Sequence, residues 1–365
     1  MKVGSLLLSR SILIMHEQYP NKKKQLLSII FLVIIILLTA YLYLRDYSIN
    51  ELITTLKSIN INFLILGLGM MFLFVNCEAI NIYMIMSSLK TPLPYYKCLQ
   101  YSCIGFYFSS ITPSASGGQP VQVYYMRQHK IPVSVSTITI FFIVFVYQIA
   151  MVFWGIVISV FRYDITSGFA SSLWFLLLYG TIINVGAIAI LFLLMFSKNI
   201  VPKILIFFIN FGKKLKLIKN SEGILDKIDK SMILYKEKAN ILKNDPILFF
   251  KVFLVTIIQM AALNIIPYLT YRSFGYDSSF ILDLFAYQSL LTISTSAIPL
   301  PGAEGVTQGG FLRVFRMFFP ESEITSAMLL NRIISFYIPL LLCFIVYFFV
   351  HIYTFRKRGD KVDRQ

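Results

Sequence analysis

Long apolar runs separated by short polar segments make up most of the chain. Crossing about 30 Å of hydrocarbon takes roughly 20 apolar residues, and runs of that length occupy residues 25–44, 61–85, 133–160, 171–196, 247–271 and 326–355. The pattern therefore predicts about six transmembrane helices. The first run has too long an apolar core for a signal peptide and no small-residue cleavage site after it, so we interpret it as a retained anchor.

Two further apolar stretches, residues 98–127 and 280–316, are broken by Gly, Pro and polar residues. The first contains SSITPSASGGQPVQVYYM at 109–126 and the second contains PGAEGV at 301–306. Irregular backbone at membrane depth is tolerated only where protein or water pairs its polar groups. We therefore predict two re-entrant hairpins of half-helices, with tips that line a cavity.

The composition fits an integral membrane protein, since 57% of the residues are hydrophobic and only 14% are charged. The formal net charge of +16 comes from basic clusters at 22–24, 198–243 and 356–358, which flank the apolar runs. The positive-inside bias explains these clusters better than nucleic-acid binding does. It places both termini and the segment 198–243 in the cytoplasm and a loop at 161–168 outside, provided that neither hairpin crosses the membrane completely. Arg313 and Arg316 then lie outside, against the bias.

The chain has an internal repeat with an offset of 185 residues, which relates SGGQPV at 116–121 to PGAEGV at 301–306. Three predicted crossings separate the two hairpins, so the copies are inverted relative to the membrane, and paired discontinuous segments of this kind point to a transporter's central site. The alternative is two unrelated kinked helices that pack through glycine.

The predicted organisation is a cytoplasmic N-terminus at 1–24, one polytopic domain at 25–355 and a basic cytoplasmic tail at 356–365. Within the domain, the repeats cover about 61–161 and 246–355, and a basic connector covers 197–245. The connector includes an amphipathic helix at about 224–242. Residues 49–59 and 201–218 have apolar positions at helical spacing but are too polar to span, so we expect both to lie on the membrane surface.

Four ionisable residues stand out within or beside the apolar and broken stretches: Glu78, Asp283, Glu304 and Arg332. A charged group inside the membrane costs roughly 2.5–3.5 kcal/mol on insertion scales, which makes each one a functional candidate. Three alternatives remain open for Arg332: snorkelling to the interface, pairing with Glu78 or Glu304, and binding an anionic headgroup with its planar guanidinium.

Motifs of soluble catalysis are missing from the sequence, including the GxxxxGK[ST] phosphate loop, HExxH and GxSxG. The four cysteines form no CxxC pair and have no histidine at ligand spacing. We therefore expect no cofactor, no metal site and no disulfide framework.

The motifs ITPSASGGQPVQVYYM (111–126) followed by HKIP, IPLPGAEGVTQGGF (298–311) and LLNRIISFY (329–337) resemble the lysylphosphatidylglycerol synthase transmembrane family, also called the flippase-like domain family. Its best-known member is the bacterial multiple peptide resistance factor. The resemblance implies a membrane region that moves lipids between leaflets. The factor's cytosolic synthase domain has no counterpart in this sequence, so a lysyltransferase activity is not expected to follow from the family name.

The resemblance also implies which residues bind the substrate. The first motif carries over onto Thr112, Pro113, Ser116, Gly117, Gly118, Gln119, Pro120 and Gln122, the second onto Pro299, Pro301, Gly302 and Gly305, and the family's span arginine onto Arg332. The chain departs from the family at Gln308, where members often have glutamate, and carries Glu304 nearby instead. If the headgroup is cationic, Glu78 and Glu304 are the acids expected to face it.

We expect from these observations a lipid translocase of the bacterial plasma membrane, multi-pass, with both termini cytoplasmic. Its cargo would be a phospholipid or lipid-linked headgroup, for which the resemblance suggests lysylphosphatidylglycerol. Two alternatives stay open: a membrane-embedded lipid aminoacyl- or glycosyl-transferase, and a scaffold for a separate lipid synthase. The expected partners are membrane phospholipids and such a synthase, and nucleic acid is not expected. The oligomeric state does not follow from the sequence.

Overall fold

A computed structural model describes residues 59–197, 200–201, 203, 222–296, 298–300, 302–303 and 305–362, and their side chains except at 222–229 and 355–362. This part of the chain is all helical, as predicted, and contains no strand. The predicted first span at 25–44 lies outside the described residues. So does nearly all of the two predicted surface-lying stretches at 49–59 and 201–218.

The first half of the described chain is a series of four helices. They are α1 (Ile61–Ser88), α2 (Tyr95–Ile111), α3 (Gly118–Gln128) and α4 (Val133–Phe161). Helix α1 begins after Asn60, whose side-chain oxygen accepts a hydrogen bond from the backbone N–H of Asn62. Such a cap pairs one of the N–H groups that the first turn of a helix leaves free.

Helix α5 (Tyr163–Phe196) follows α4 after the single residue Arg162. The predicted outer loop at 161–168 is therefore helical in the structure. Leu173 has non-helical backbone angles and divides α5 close to residue 171, where the predicted span begins. The prediction missed the short helix before this kink because its polar residues interrupt the apolar pattern. Its first turn carries Asp164, and an acidic residue stabilises the N-terminal end of a helix.

The connector between the two halves contains α6 (Glu222–Lys243), at the position predicted for the amphipathic helix. Its apolar side is buried, at Met232, Tyr235, Ala239 and Leu242. The Tyr235 hydroxyl donates a hydrogen bond to the carbonyl of Leu194 over 3.1 Å. This contact ties the connector to the end of α5.

The second half also consists of helices, and each of its two long segments is interrupted once. The helices are α7 (Pro246–Asn264), α8 (Ile266–Ser273), α9 (Ile281–Thr295), α10 (Val306–Val314), α11 (Ile324–Arg332) and α12 (Ile338–Val362). Pro267 in the first turn of α8 separates it from α7, because proline cannot supply the N–H that a continuous helix needs. A 3₁₀ turn, Phe315–Met317, follows α10, and a π-helical turn, Ile333–Tyr337, joins α11 to α12.

The order of helices is the same in both halves. The offset of 185 residues carries Ile61 and Ser88, the ends of α1, onto Pro246 and Ser273, the first residue of α7 and the last of α8. It also brings α2 and α3 onto α9 and α10 within a few residues. The inverted orientation of the two copies relative to a membrane stays a prediction.

Five segments of the described chain are long and apolar enough to cross a membrane: Ile61–Ser88, Val133–Phe161, Tyr163–Phe196, Pro246–Ser273 and Ile324–Thr354. They stand at the five predicted runs that fall within the described residues. The protein is thus an all-α integral membrane protein. The four half-helices α2, α3, α9 and α10, with 17, 11, 15 and 9 residues, are each shorter than these segments, and whether the two pairs re-enter from one side stays a prediction.

The equivalent long segments of the two halves pack against each other, since α1 contacts both α7 and α8. Asn81 of α1 donates a hydrogen bond to the hydroxyl of Thr256 in α7 over 3.1 Å, inside this contact. Around it, α2 packs against α1, α3 and α12, while α9 packs against α4 and α5. The half-helices are therefore held among the long helices.

Candidate functional site

A cavity of about 730 Å³ lies between the two halves, and residues from both broken stretches line it. Loop 112–117, between α2 and α3, contributes Ser114, Ala115 and Ser116. The loop after α9 contributes Gly302 and Ala303. The first turns of α3 and α10 also face the cavity, through Gln119 and Thr307. The two sequence motifs thus meet at one site.

The hydroxyl of Thr112 stabilises the first loop through two hydrogen bonds. The hydroxyl donates a hydrogen bond to the carbonyl of Phe108 over 2.6 Å and accepts one from the backbone N–H of Gly117 over 2.9 Å. Ser114 and Ala115 adopt left-handed backbone angles, with φ of 50° and 51°. In residues other than glycine this left-handed backbone conformation costs free energy, and it persists only where the surrounding structure imposes it.

The second loop has a run of left-handed residues as well, at Gly302 (φ 59°), Ala303 (φ 49°) and Gly305 (φ 77°). A Cβ on Gly302 would lie 2.7 Å from the ring of Phe336 and 3.6 Å from the carbonyl oxygen of Ser110 at the end of α2. Only glycine fits this position. The close approach shows that the second loop contacts the end of the first half-helix.

Arg332, at the end of α11, links the second loop to the cavity wall. Its side chain is 8% exposed, lines the cavity and donates a hydrogen bond from Nη2 to the carbonyl of Gly302 over 3.2 Å. The guanidinium also lies over the Phe336 ring, 5.2 Å from its centre. The π-helical turn starts directly after Arg332, and such turns are frequent at functional sites.

Glu78 and Gln122 form a second polar group in the wall, on the side of the first half. The Gln122 Nε2 donates hydrogen bonds to Glu78 Oε1 over 2.7 Å and to the carbonyl of Tyr101 over 3.0 Å. Gly105 gives the amide its space, because a Cβ there would overlap Gln122. Two acids, Glu78 and Glu304, were predicted as partners of Arg332. In the structure Glu78 accepts a hydrogen bond from Gln122, and Glu304 lies outside the described residues.

The predicted site residues fall into three groups. Eight line the cavity: Glu78, Ser116, Gln119, Pro120, Gln122, Gly302, Gln308 and Arg332. Thr112, Pro113, Gly117, Gly118, Pro299 and Gly305 are described but are not among the lining residues, and they belong to the loops or helix starts that carry the wall. Pro301 and Glu304 lie outside the described residues.

Asp283 is placed away from the cavity. Its carboxylate lies 2.5 Å from the guanidinium of Arg162, which also pairs with Asp164 over 3.1 Å. This ion-pair group joins the start of α9 to the junction of α4 and α5. Asp283 therefore positions the second half-helix pair.

Four amide side chains in the cavity wall were missed: Gln148, Gln259, Gln288 and Asn331. They lie on α4, α7, α9 and α11. The available indication was a polar side chain within a hydrophobic span, which is expected to face protein or a cavity rather than lipid. The predicted site was built from motifs and charged residues, so these amides were passed over.

Of the described residues that line the cavity, only Glu78 and Arg332 are charged, and the rest of its polar wall consists of amides and hydroxyls. The described part of the chain contains no cluster of three His, Cys, Asp or Glu side chains that could hold a metal ion. The wall thus presents hydrogen-bond donors and acceptors, one carboxyl group and one guanidinium group to the cavity.

Comparison with known protein families identifies the family of this chain. A model of the lysylphosphatidylglycerol synthase TM region matches residues 25–343. The chain belongs to this family. The match includes both broken stretches, Glu78 and Arg332, so the whole described cavity lies within the family region.

One curated relative in the comparison is a UPF0104 membrane protein from Archaeoglobus fulgidus. It is 23% identical over 250 residues, which cover 67% of this chain and 73% of the relative. Its description states membrane location and nothing about an activity. The comparisons therefore show the lysylphosphatidylglycerol synthase TM family and similarity to a membrane protein, and they name no activity for this chain.

Proposed function

We propose that this protein is a lipid translocase, in which a lipid headgroup passes through the cavity between the two loops while the acyl chains stay in the bilayer. The observation that carries the proposal is the cavity, whose mostly apolar wall holds a set of amides and hydroxyls, Glu78 and Arg332, and which is built where two interrupted half-helix pairs meet among membrane-spanning helices. A polar wall is costly inside a membrane unless it serves a polar ligand or water.

The phosphate of the lipid would bind beside Arg332. A guanidinium presents a planar set of donors that suits phosphate. The N-terminal ends of α3 and α10 add partial positive charge, and both line the cavity through their first turns. No described side chain caps the start of α3, so its first backbone N–H groups can meet a ligand, whereas in α10 the N–H of Thr307 already donates to the carbonyl of Ala303 over 3.0 Å.

The rest of the headgroup would contact Gln119, Gln122 and Gln308, which supply neutral hydrogen bonds, and Glu78, which supplies a carboxylate. Weak and distributed contacts of this kind suit transport, since a strongly held headgroup would not leave. We propose equilibration between leaflets as the mode of movement that such contacts allow without further assumption.

The proposed setting is the plasma membrane of a bacterium, with both termini in the cytoplasm. The family description names lysylphosphatidylglycerol, which makes this lipid one of the cargoes to test. A separate lipid-modifying synthase is the proposed partner, which would supply the lipid.

The test is reconstitution into liposomes that contain acyl-labelled fluorescent lipids with native headgroups, followed by bleaching of the outer leaflet with dithionite. We expect the wild-type protein to expose inner-leaflet label, and Arg332→Gln to slow this about tenfold or more, since a hydrogen bond to a charged group is worth about 1.5–3 kcal/mol. Arg316→Gln is the matched control, because that arginine is exposed and pairs with Glu321 outside the cavity. Both variants need the thermal unfolding profile of the wild type.

Three results would count against the proposal. Equal rates of lipid movement for the wild type and a folded Arg332→Gln protein would show that the headgroup does not pass through the cavity. Chemical conversion of a lipid by the purified protein would favour a transferase. No movement of any lipid, together with loss of a synthase's activity when this protein is deleted, would favour a scaffold.

A further inference from the structure

Glu78 is an acidic side chain well inside the membrane-spanning helix α1, and it lines the cavity. One of its carboxylate oxygens accepts the hydrogen bond from Gln122. The other oxygen has no hydrogen-bond partner among the described residues, and it is not one of the fully buried unpaired atoms, so it is accessible from the cavity. Glu78 therefore has one oxygen held by the protein and one that can meet water or a ligand.

Glu78 has no cationic partner among the described residues. The ion pairs in this part of the chain use other acids, namely Asp164, Asp283, Glu237 and Glu321. An ionised carboxylate that is away from water and has no cation beside it is costly, and the cost is high inside a membrane. Two events can remove this cost: a proton can neutralise the carboxylate, or a cationic group of a ligand can pair with it.

The ionisable groups around Glu78 leave both events open. Helices α2, α4 and α12 place Cys103, Tyr147 and Cys343 close enough to interact with its charge, and none of these side chains is a cation. Helices α7 and α8 and the π-helical turn add no ionisable side chain to the described wall, and Arg332 is the cation of that wall. The hydrogen bond from Gln122 suits both charge states, since the carbonyl oxygen of a protonated carboxyl group still accepts.

Protonation of Glu78 makes the wall more positive by one unit, whatever other charges the wall carries. The carboxylate attracts an ammonium group in the cavity and repels a phosphate, and protonation removes both effects. Every phospholipid headgroup brings a phosphate, so the difference between headgroups lies in the charge that accompanies the phosphate. A headgroup with an ammonium group therefore gains from the ionised state, and a headgroup with a net negative charge gains from the protonated state.

On the basis of the translocase function proposed above, we infer that Glu78 is a proton-binding site that determines which headgroup charge the cavity accepts. The ionised carboxylate favours headgroups that carry an ammonium group, and the protonated carboxyl group favours anionic headgroups. Glu78 is thus a specificity-determining residue, and the pH sets the preference.

The experiment measures lipid movement in proteoliposomes at about pH 5.5 and about pH 8, a range in which buried carboxyl groups can change charge. The pH is the same on both sides of the membrane. Phosphatidylethanol and phosphatidylethanolamine are the probes, because they differ only in the ammonium group and neither changes its charge in this range. Short-chain labelled lipid is extracted from the outer leaflet with albumin, since dithionite decomposes in acid.

We expect the rate ratio of phosphatidylethanol to phosphatidylethanolamine to be about tenfold higher at the acid pH, which corresponds to about 1.4 kcal/mol. Phosphatidylglycerol is a second anionic lipid and should follow phosphatidylethanol. The ratio separates Glu78 from general effects of pH on the protein, because such effects change both rates in the same direction.

Variants then locate the effect. Glu78→Gln keeps an acceptor for Gln122 and cannot ionise, so its ratio should stay near the acid value of the wild type at both pH values. Glu78→Asp keeps a titrating carboxyl group and should keep the dependence on pH. Glu323→Gln is the matched control, since Glu323 is also half-buried and accepts a hydrogen bond from a neutral donor, the Tyr276 hydroxyl, but is not among the lining residues. This control should behave as the wild type.

The results separate the two proposals. If no lipid moves at either pH, both the translocase function and the role of Glu78 fail. If the lipids move and the wild-type ratio does not rise in acid, the translocase function stands and the role of Glu78 is overturned, whether or not the variants fold. A rise that persists in folded Glu78→Gln, or that is lost in Glu323→Gln, would also overturn it, because the titrating group would then not be Glu78.

Discussion

The side-chain nitrogen of Gln122 on α3 lies 2.7 Å from the carboxylate of Glu78 on α1 and 3.0 Å from the carbonyl of Tyr101 on α2. One amide thereby joins a membrane-spanning helix to both members of the first half-helix pair. The half-helix pair is positioned by this polar contact as well as by packing.

Removing the Gln122 amide should leave the partly buried carboxylate of Glu78 without its hydrogen bond, at a cost of about 1–3 kcal/mol. We expect Gln122→Leu to lower the apparent unfolding temperature in detergent. The double variant Glu78→Leu/Gln122→Leu should recover part of the loss, because replacing both partners removes the unpaired group. Losses that simply add would show that the pair is not coupled.

Two glycines on α5 give a matched test of helix packing. A Cβ on Gly180 would overlap the backbone carbonyl of Ile293 on α9 and lie 2.7 Å from the Cα of Ser294, whereas a Cβ on Gly186 would meet open space. Backbone atoms cannot rotate away from the added Cβ as a side chain could. Gly180→Ala should therefore lower the free energy of unfolding by about 1–3 kcal/mol. Gly186→Ala should be neutral or stabilise by about 0.5–1 kcal/mol. Thermal unfolding of the two variants checks this order, and equal effects would contradict the close packing of α5 against α9 at Gly180.

Three glycines in the second loop and the helix after it distinguish the cost of a left-handed backbone angle from the cost of steric overlap. Gly302→Ala suffers both a left-handed backbone angle and overlap with Phe336, while Gly305→Ala suffers the left-handed angle alone. Gly309 is helical and faces open space. Destabilisation should therefore fall in the order 302, 305, 309, with about 1–2 kcal/mol for the left-handed angle. An equal loss at 302 and 305, measured by thermal unfolding, would rule out the close approach to Phe336.

His129, in the turn between α3 and α4, predicts a dependence of stability on pH. Its Nδ1 lies 2.6 Å from the Tyr101 hydroxyl, and burial, followed by the charge of Lys97, lowers the pKa of the imidazole below its usual range. The folded state then binds a proton less readily than the unfolded state, so the contribution is complete above about pH 6.5 and is lost as the pH falls below it.

The variant His129→Gln should accordingly show a smaller drop in apparent unfolding temperature between pH 7.5 and pH 5.5 than the wild type. His16 and His351 are present in both proteins, so the difference isolates His129. The same drop in both proteins would mean that protonation of His129 does not destabilise the folded state.

The long helices were predictable because their apolar runs are continuous. The predicted starts at 61 and 133 are the first residues of α1 and α4. The two interrupted stretches were also found, since Gly and Pro inside apolar sequence mark broken helices. The kink at Leu173 has no such marker, and the ion pair of Arg162 with Asp283 joins residues 121 positions apart, which local patterns cannot reveal.

The site was only partly predictable. The motifs named both loops, yet the sequence could not tell residues that face the cavity, such as Gln119, from residues that shape the turn, such as Thr112. The amides at 148 and 259 lie on long helices that are hydrophobic on most sides. The apolar pattern alone therefore does not show which face turns inward, and only the isolated polar side chains pointed to the cavity.

A reversible block of the cavity tests the translocase account most directly. The four native cysteines are all buried, so a cysteine introduced at the exposed, cavity-lining Ser116 can be labelled selectively with a bulky thiol reagent. Ser171→Cys, on the exposed part of α5 and not among the lining residues, is the control. We predict that labelling at 116 stops lipid movement in proteoliposomes, that reduction of the mixed disulfide restores it, and that labelling at 171 changes nothing. Unchanged movement with residue 116 fully labelled would contradict passage of the headgroup through this cavity.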